Sequence, residues 1–344
     1  MDTTSVIEVN NLRKNFKGFE LSIDNLEIPE GFATALIGEN GAGKSTFINI
    51  LAGIRRDYKG EVKFYDGSLD ERELRESIGY TGTDCYFLPH WTVGDVETVS
   101  GILFDGFHDD IYRKLLDDMN ITERNKAFSK LSDGMKMKTI LSAVFARNTR
   151  LLLLDEPASP LDPLMRDKLC SMIREYIDEG NGEKSVLFST HNIADMENVT
   201  DYAVIIEQGR VVEQGFVEDL KEKYVMVKGE LVEGDAENGS ISSGGSSKGA
   251  IDTTKSRDRN LNEDTERNSV NSLENIDIEK DRNGMNIRII AEQTLYGCTF
   301  SQYGFEGLCL SESLKKFAGM DIAVETPTLS QICVGIMKKY TVLK

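Results

Sequence analysis

The sequence predicts an α/β chain in which a parallel sheet carries a phosphate loop, a helical stretch interrupts the sheet, and a small α+β unit follows. Three observations predict it. Gly38-Glu39-Asn40-Gly41-Ala42-Gly43-Lys44-Ser45-Thr46 fits the pattern G-x-x-x-x-G-K-[S/T] without a mismatch. Leu151-Leu152-Leu153-Leu154 ends in Asp155-Glu156-Pro157, as a strand buried on both faces of a parallel sheet would. Residues 234–284 contain no Phe, Tyr or Trp and are rich in Ser, Gly, Asn and charge, after which strand and helix patterns resume.

Taken in order, Ser5 to Asn10 alternates Val6, Ile7 and Val9 with polar residues, and Leu21 to Ile28 alternates through Leu21, Ile23, Leu26 and Ile28. Both read as strands. Phe16 lies between them, either as a packing residue or, near the loop's mouth, as a surface on which an adenine ring could stack. Pro29-Glu30-Gly31 is turn chemistry leading into the apolar run Phe32 to Ile37. Behind the phosphate loop, Phe47, Ile50, Leu51 and Ile54 recur at i, i+3, i+4 and i+7, giving the strand, loop, helix order that the motif requires. Gly60 to Gly67 reads as a short strand bounded by glycines, and Leu69 to Ser77 as a helix.

From about 84 to 148 the pattern turns helical, with segments such as Asp109 to Met119, and a helical subdomain inserted in the α/β core is expected there. Its Leu88-Pro89-His90-Trp91-Thr92-Val93 cluster holds the only tryptophan and is either local core or a seat for a partner helix. Leu131-Ser132-Asp133-Gly134-Met135-Lys136 opens a helix, with Ser132 able to cap it and Ile140, Leu141, Val144 and Phe145 in helical register. Val186 to Thr190 is a second buried strand, ending at His191, and Tyr202 to Glu207 a third, ending at Gln208-Gly209.

Residues 1–223 therefore form the nucleotide-binding unit. The low-complexity insert 234–284 is expected to be disordered and to interrupt a small α+β domain built from 224–233 and 285–344. In that domain Tyr224 to Val227, Asn286 to Ala291, Gly304 to Leu308 and Asp321 to Glu325 read as strands, and Ser311 to Phe317 as a helix.

The chain has 344 residues and a net charge of −18, which argues against a nucleic-acid partner because phosphate contacts need a basic face. Five cysteines at 85, 170, 298, 309 and 333 show no C-x-x-C spacing, and three histidines stand far apart. A reducing cytoplasm and no dedicated Cys/His metal site are expected. Met1-Asp2-Thr3-Thr4 lacks the character of a signal peptide, and no apolar run approaches the ~20 residues that span a bilayer, so a soluble polypeptide is expected.

The chemistry follows from the loop. Glycines 38, 41 and 43 let backbone N–H groups curl round a polyphosphate, and the helix behind them points its unpaired donors at the same anion. Lys44 reaches the β- and γ-phosphates, and Ser45 can ligate Mg²⁺. A glycine-rich turn that merely joined two elements would not need Lys-Ser at this offset. Asp155 and Glu156 stand at the carboxyl end of a strand, where parallel sheets place their ligands.

Together, the phosphate loop, Leu131-Ser132-Asp133-Gly134-Met135, the leucine strand with Asp155-Glu156-Pro157, Ser159-Pro160-Leu161-Asp162 and the strand-end His191 resemble the ATP-binding subunits of ABC transporters over residues 5 to 220. Tyr303-Gly304-Phe305-Glu306-Gly307-Leu308 and Thr326-Pro327-Thr328-Leu329-Ser330-Gln331-Ile332 look like the tails of bacterial drug- and peptide-export ATPases. The resemblance implies a P-loop NTPase fold of ABC type that hydrolyses ATP with Mg²⁺ at the inner face of the cell membrane. ATP would be cradled by Gly38, Asn40, Gly41, Ala42, Gly43, Lys44, Ser45 and Thr46, with Phe16 stacked on adenine. Asp155 would hold Mg²⁺ with Ser45, Glu156 would polarise the attacking water, and His191 would contact the γ-phosphate. It also implies a head-to-tail pair with a second copy or a related ATPase subunit. Ser132 and Gly134 would then contact the partner's ATP, Asp162 the opposite subunit, and a separate transmembrane permease would receive the motion.

Two positions depart from the family pattern. Asp133 stands where many relatives have Gly, and a carboxylate near phosphate is repulsive unless it points outward, the orientation expected here. Thr83 or Asp84 stands where the family carries a glutamine that touches Mg²⁺. A soluble ABC-type ATPase acting on ribosomes or DNA is disfavoured by the absence of a second phosphate loop, of heptads and of basic charge. A nucleotide sensor without turnover is disfavoured by the presence of both Glu156 and His191.

Overall fold

The computed structural model describes residues 4–82, 87–230 and 285–342. Ser5–Phe16 (β1) and Phe19–Pro29 (β2) pair as an antiparallel hairpin closed at Lys17-Gly18, and Lys59–Phe64 (β4) pairs on the other side of β1. The alternation seen in the sequence does the sorting. Ile7, Val9 and Leu12 of β1 and Leu21, Ile23, Leu26 and Ile28 of β2 are all buried, as a one-sided antiparallel sheet requires.

Ala33–Ile37 (β3) runs into the phosphate loop and then into Lys44–Leu51 (α1). Glu71–Ser77 (α2) starts at a capping box made by Asp70 and Glu73 and leads into Ile78–Thr81 (β5). Val93–Leu103 (α3), Asp109–Asp118 (α4) and Asp133–Phe145 (α5) fill the stretch before Leu151–Leu154 (β6). Pro163–Glu179 (α6), Ser185–Thr190 (β7), Tyr202–Glu207 (β8) and Arg210–Phe216 (β9) follow. The large sheet has the order β5-β6-β7-β3-β8-β9, parallel except for β9.

Alternate leucines of β6 serve opposite layers. Leu151 and Leu153 belong to the core layer that holds Phe47 and Ile48 of α1 and Ile23 of the antiparallel sheet, whereas Leu152 and Leu154 belong to the layer that holds Val96, Leu116, Leu141 and Ile173 of α3 to α6. A strand covered on both faces has no room for a polar side chain until its end, and there stand Asp155 and Glu156.

Val217–Lys223 (α7) leads into Tyr224–Glu230 (β10). With Tyr296–Phe300 (β11), Gly304–Leu310 (β12) and Ile322–Glu325 (β13), it forms an antiparallel sheet in the order β11-β12-β10-β13. One expectation fails here. Asn286 to Ala291 is not a strand but lies within Met285–Thr294 (α8). Ile287, Ile290, Ala291 and Leu295 make a helical stripe that packs on Val227, Phe305 and Phe317, so the i, i+3, i+4 spacing outweighs the strand preference of the isoleucines. Ser311–Phe317 is a 3₁₀ run. Leu329–Val342 (α9) covers the other sheet face and buries Leu329, Ile332, Cys333 and Ile336 against the larger core. The insert expected at 234–284 lies outside the described residues. Among the described residues no helix is long and apolar enough to cross a membrane.

Candidate functional site

The phosphate loop is a cradle of fixed shape. Gly41 and Gly43 have φ of 87° and 107°, values that favour glycine, and a Cβ on Gly38 would lie 2.3 Å from the carbonyl oxygen of Ile206. Gly43 caps the start of α1, which leaves the helix's first N–H groups facing the loop. Lys44 is 5% exposed. Its Nζ donates to the carbonyls of Gly38 (2.8 Å) and Glu39 (3.2 Å) and stands 3.3 Å from Oε1 of Glu156. A 380 Å³ cavity opens here, floored by Asn40, Gly41 and Gly43 to Thr46 and walled by Phe16, Phe19 and Glu156.

The two carboxylates at the end of β6 have different surroundings. Asp155 is 1% exposed. Its Oδ1 accepts from the hydroxyl of Ser189 at 2.5 Å, while its buried Oδ2 has no hydrogen-bond partner. Glu156 has a φ of 50°, and its N–H donates to Ser189 Oγ at 2.8 Å. Oε2 of Glu156 accepts from Nδ1–H of His191 at 2.7 Å. Lys44, Glu156 and His191 thus form one polar chain that runs from the cavity wall to the end of β7. Such a set can neutralise a phosphate, take up a proton from water, and keep the acceptor oriented while it does so.

Ser189 was absent from the residues that the sequence singled out. Its signal was the register: Leu154 pairs with Phe188 in the parallel sheet, so the next residues, Asp155 and Ser189, are neighbours at the strand ends. Phe19 was also missed; it pairs with Phe16 across the hairpin, and the two rings lie 6.1 Å apart. Phe16 itself is 39% exposed, with Lys14 and Arg55 over its ring.

The donors present fit magnesium. A hard cation of this kind takes one or two carboxylates and finds its other ligands in phosphate and water; Asp155 has a spare buried oxygen, and Ser45 stands at the head of α1. Among the described residues no group of three or more His, Cys, Asp or Glu could hold a metal by itself. Thr83 and Asp84 lie outside the described residues.

Ser132, Gly134 and Asp162 form a second group, and none of them lines the cavity over the phosphate loop. Ser132 is exposed and caps α5, accepting from the Met135 N–H at 3.3 Å. Asp133 is 87% exposed and pairs with Lys136 at 2.9 Å within the first turn of α5. Asp162 is exposed and caps α6 through the Met165 N–H at 3.1 Å. A Cβ on Gly134 would lie 2.9 Å from the Pro160 carbonyl oxygen, so this helix start and the turn before α6 share one outward patch. A larger cavity of 770 Å³ lies at the opposite strand ends, beside Ser77, Thr149, Arg150 and Lys184; size alone does not outweigh the convergence of Lys44, Asp155, Glu156 and His191.

A family model described as ABC transporter matches residues 21–159. The chain is 31% identical over 232 residues to human ATP-binding cassette sub-family A member 6, an alignment that covers 63% of this chain and 14% of that protein. It is 30% identical over 225 residues to the uncharacterized ABC transporter ATP-binding protein YxlF of Bacillus subtilis (strain 168), covering 63% of this chain and 73% of that one. Among solved structures, cbiO1 from Clostridium perfringens, part of the ABC transporter complex cbiONQ, superposes with a TM-score of 0.52 at 26% identity, covering 63% of this chain and 90% of that chain.

Proposed function

The chain belongs to the ABC transporter ATP-binding family, and from that premise we propose that it is the ATP-hydrolysing subunit of a membrane exporter, working as a head-to-tail pair. One observation carries the reading: the Glu156 carboxylate is held between Lys44 and His191 on the wall of a cavity whose floor is the glycine cradle. In this reading Lys44 and the N–H groups at the start of α1 bind the phosphates of ATP. Glu156 takes the proton of the attacking water, and His191 keeps the carboxylate aligned and contacts the γ-phosphate. Phe16 stacks on the base. Asp155 and Ser45 hold Mg²⁺, which when bound neutralises charge on the phosphate oxygens.

Ser132 and Asp162 are exposed, Gly134 is half-buried beside them, and none of the three lines the cavity over the chain's own phosphate loop, which supports a role at the loop of a second copy. ATP then bridges the two copies, and hydrolysis removes the bridge. Export is supported by the likeness of residues 303–308 and 326–332 to exporter tails. The partner would be a separate permease, with this chain on the cytoplasmic face of the membrane. The deciding experiment is Glu156→Gln, which keeps the shape and weakens the base. It should trap an ATP-dependent dimer, and a strictly monomeric protein under saturating ATP and Mg²⁺ would contradict the reading. Detergent co-purification with a membrane protein, followed by transport into or out of sealed vesicles, tests the permease and the direction.

A further inference from the structure

The turn that follows the two carboxylates is tied by one side chain to the segment that follows His191. Arg166, one turn into α6, aims Nε at the carbonyl oxygens of Ala158 (3.2 Å) and Leu161 (2.9 Å). Its Nη1 lies 2.7 Å from Oδ2 of Asp195. That same oxygen accepts from Nδ2 of Asn192 at 2.9 Å, and Asn192 is the immediate neighbour of His191. The Asn192 N–H in turn donates to Thr190 Oγ1 at 3.0 Å. The path from the turn to the strand end is continuous.

Helix chemistry does not explain this arginine. A cation in the first turn opposes the helix dipole, and at 27% and 25% side-chain exposure neither Arg166 nor Asp195 is a freely solvated surface group. The guanidinium fork, however, can reach two carbonyls and a carboxylate in different directions at once, which a lysine ammonium on the same stem cannot. On the outer side of the turn, Ser159, Pro160 and Asp162 are exposed beside Ser132 and Gly134. Displacing the turn displaces the two carbonyls, and with them the group that holds Asp195 and Asn192.

We propose that Arg166 and Asp195 are a positioning pair that makes the placement of His191, and through it Glu156, depend on whether the turn at 158–162 is engaged by a second copy. This rests on the head-to-tail reading above. Neither residue touches the nucleotide. Each acts through the segment that carries His191, so that one copy's hydrolysis answers to the docking of the other.

The test uses Arg166→Lys, Asp195→Asn and the double variant in the full-length protein, with kcat, KM for ATP and melting temperature measured for each. The expected result is a fall in kcat of about tenfold in each single variant, with KM and melting temperature unchanged. The double variant should be no slower than either single one, because both changes break the same link. A wild-type kcat in either single variant, losses that multiply in the double variant, or a loss that follows a lowered melting temperature would overturn the proposal. ATP-driven dimerisation is read separately in the Glu156→Gln protein: failure there removes the head-to-tail reading, whereas multiplying losses with an intact dimer remove only this inference.

Discussion

Nδ1 of His191 lies 2.7 Å from Oε2 of Glu156. The other oxygen of that carboxylate faces Lys44 Nζ at 3.3 Å, so the group is held at both ends by residues more than a hundred positions apart in the chain. His191→Ala leaves one end free. A hydrogen bond to a charged group is worth about 1.5–3 kcal/mol, and kcat is expected to fall by roughly tenfold to a hundredfold, with a smaller loss of ATP affinity from the missing γ-phosphate contact. Single-turnover hydrolysis beside equilibrium nucleotide binding checks this; equal losses in both measurements would place His191 in binding alone.

Ser189 serves both residues, donating to the Asp155 carboxylate and accepting from the Glu156 backbone N–H. Glu156 sits at φ 50°, a conformation that costs on the order of 1–3 kcal/mol for a residue with a side chain, and the Ser189 hydroxyl is one of the contacts that hold it there. Ser189→Ala is expected to lower stability by about 1–3 kcal/mol, the cost of an unsatisfied buried group, and to raise the magnesium concentration needed for half-maximal hydrolysis. Urea unfolding and a magnesium titration, with chelation by EDTA as the zero point, measure the two effects.

Much of this site is legible in the sequence because its residues are tied to strand ends and helix starts. Four leucines that close on two carboxylates read as a doubly covered strand, so Asp155 and Glu156 fall at its mouth, and Lys44 follows from the loop pattern. Ser189 and Arg166 were not legible in the same way. Each matters through a neighbour brought in by sheet register or by a long side chain, and composition carries no trace of that. The α8 segment was misread for a related reason: Ile287, Ile289 and Ile290 favour a strand locally, and only the packing of Ile287, Ile290 and Ala291 on Phe305 and Phe317 makes it a helix.

The hairpin of β8 and β9 turns at Gln208 and Gly209, with φ of 50° and 78°. Two central residues with positive φ are the requirement of a type I′ turn, in which Asn-Gly is the favoured pair. Gln208→Asn is expected to stabilise the chain by about 0.5 kcal/mol, read as a higher urea midpoint at unchanged slope. Gly209 allows no such freedom, because a Cβ there would lie 2.0 Å from the Glu20 carbonyl oxygen. Gly209→Ala should lower the midpoint.

Glu197, in the 3₁₀ turn between β7 and β8, caps α9. Its Oε1 and Oε2 accept from the N–H groups of Leu329 (2.8 Å) and Ser330 (3.4 Å) at the start of α9. A carboxylate there satisfies two orphan donors and complements the dipole. Glu197→Ala is expected to cost about 1 kcal/mol and to speed amide exchange at Leu329 and Ser330 more than at residues of β7. Unchanged exchange at the two amides would show that the cap does not hold the start of α9.

Cys333, on the buried face of α9, gives a pH dependence with a definite sign. Burial pushes its thiol up from the ordinary value of 9.0 to about 12, with the charge of Glu197 adding to the shift. Below pH 9 both folded and unfolded chains keep the proton, and this thiol contributes nothing to the pH dependence. Above pH 9 the unfolded chain loses its proton while the folded chain retains it, so the unfolded state binds fewer protons and stability falls as pH rises, until the folded thiol ionises near pH 12. The slope from this one group is at most about 1.4 kcal/mol per pH unit. Urea midpoints for the wild type and Cys333→Ala at about pH 8, 9, 10 and 10.5, all at one ionic strength, isolate it, because every other titrating group is common to both proteins. The wild type should lose stability more steeply than the variant above pH 9, and parallel curves would mean that the thiol is not sequestered in the folded chain.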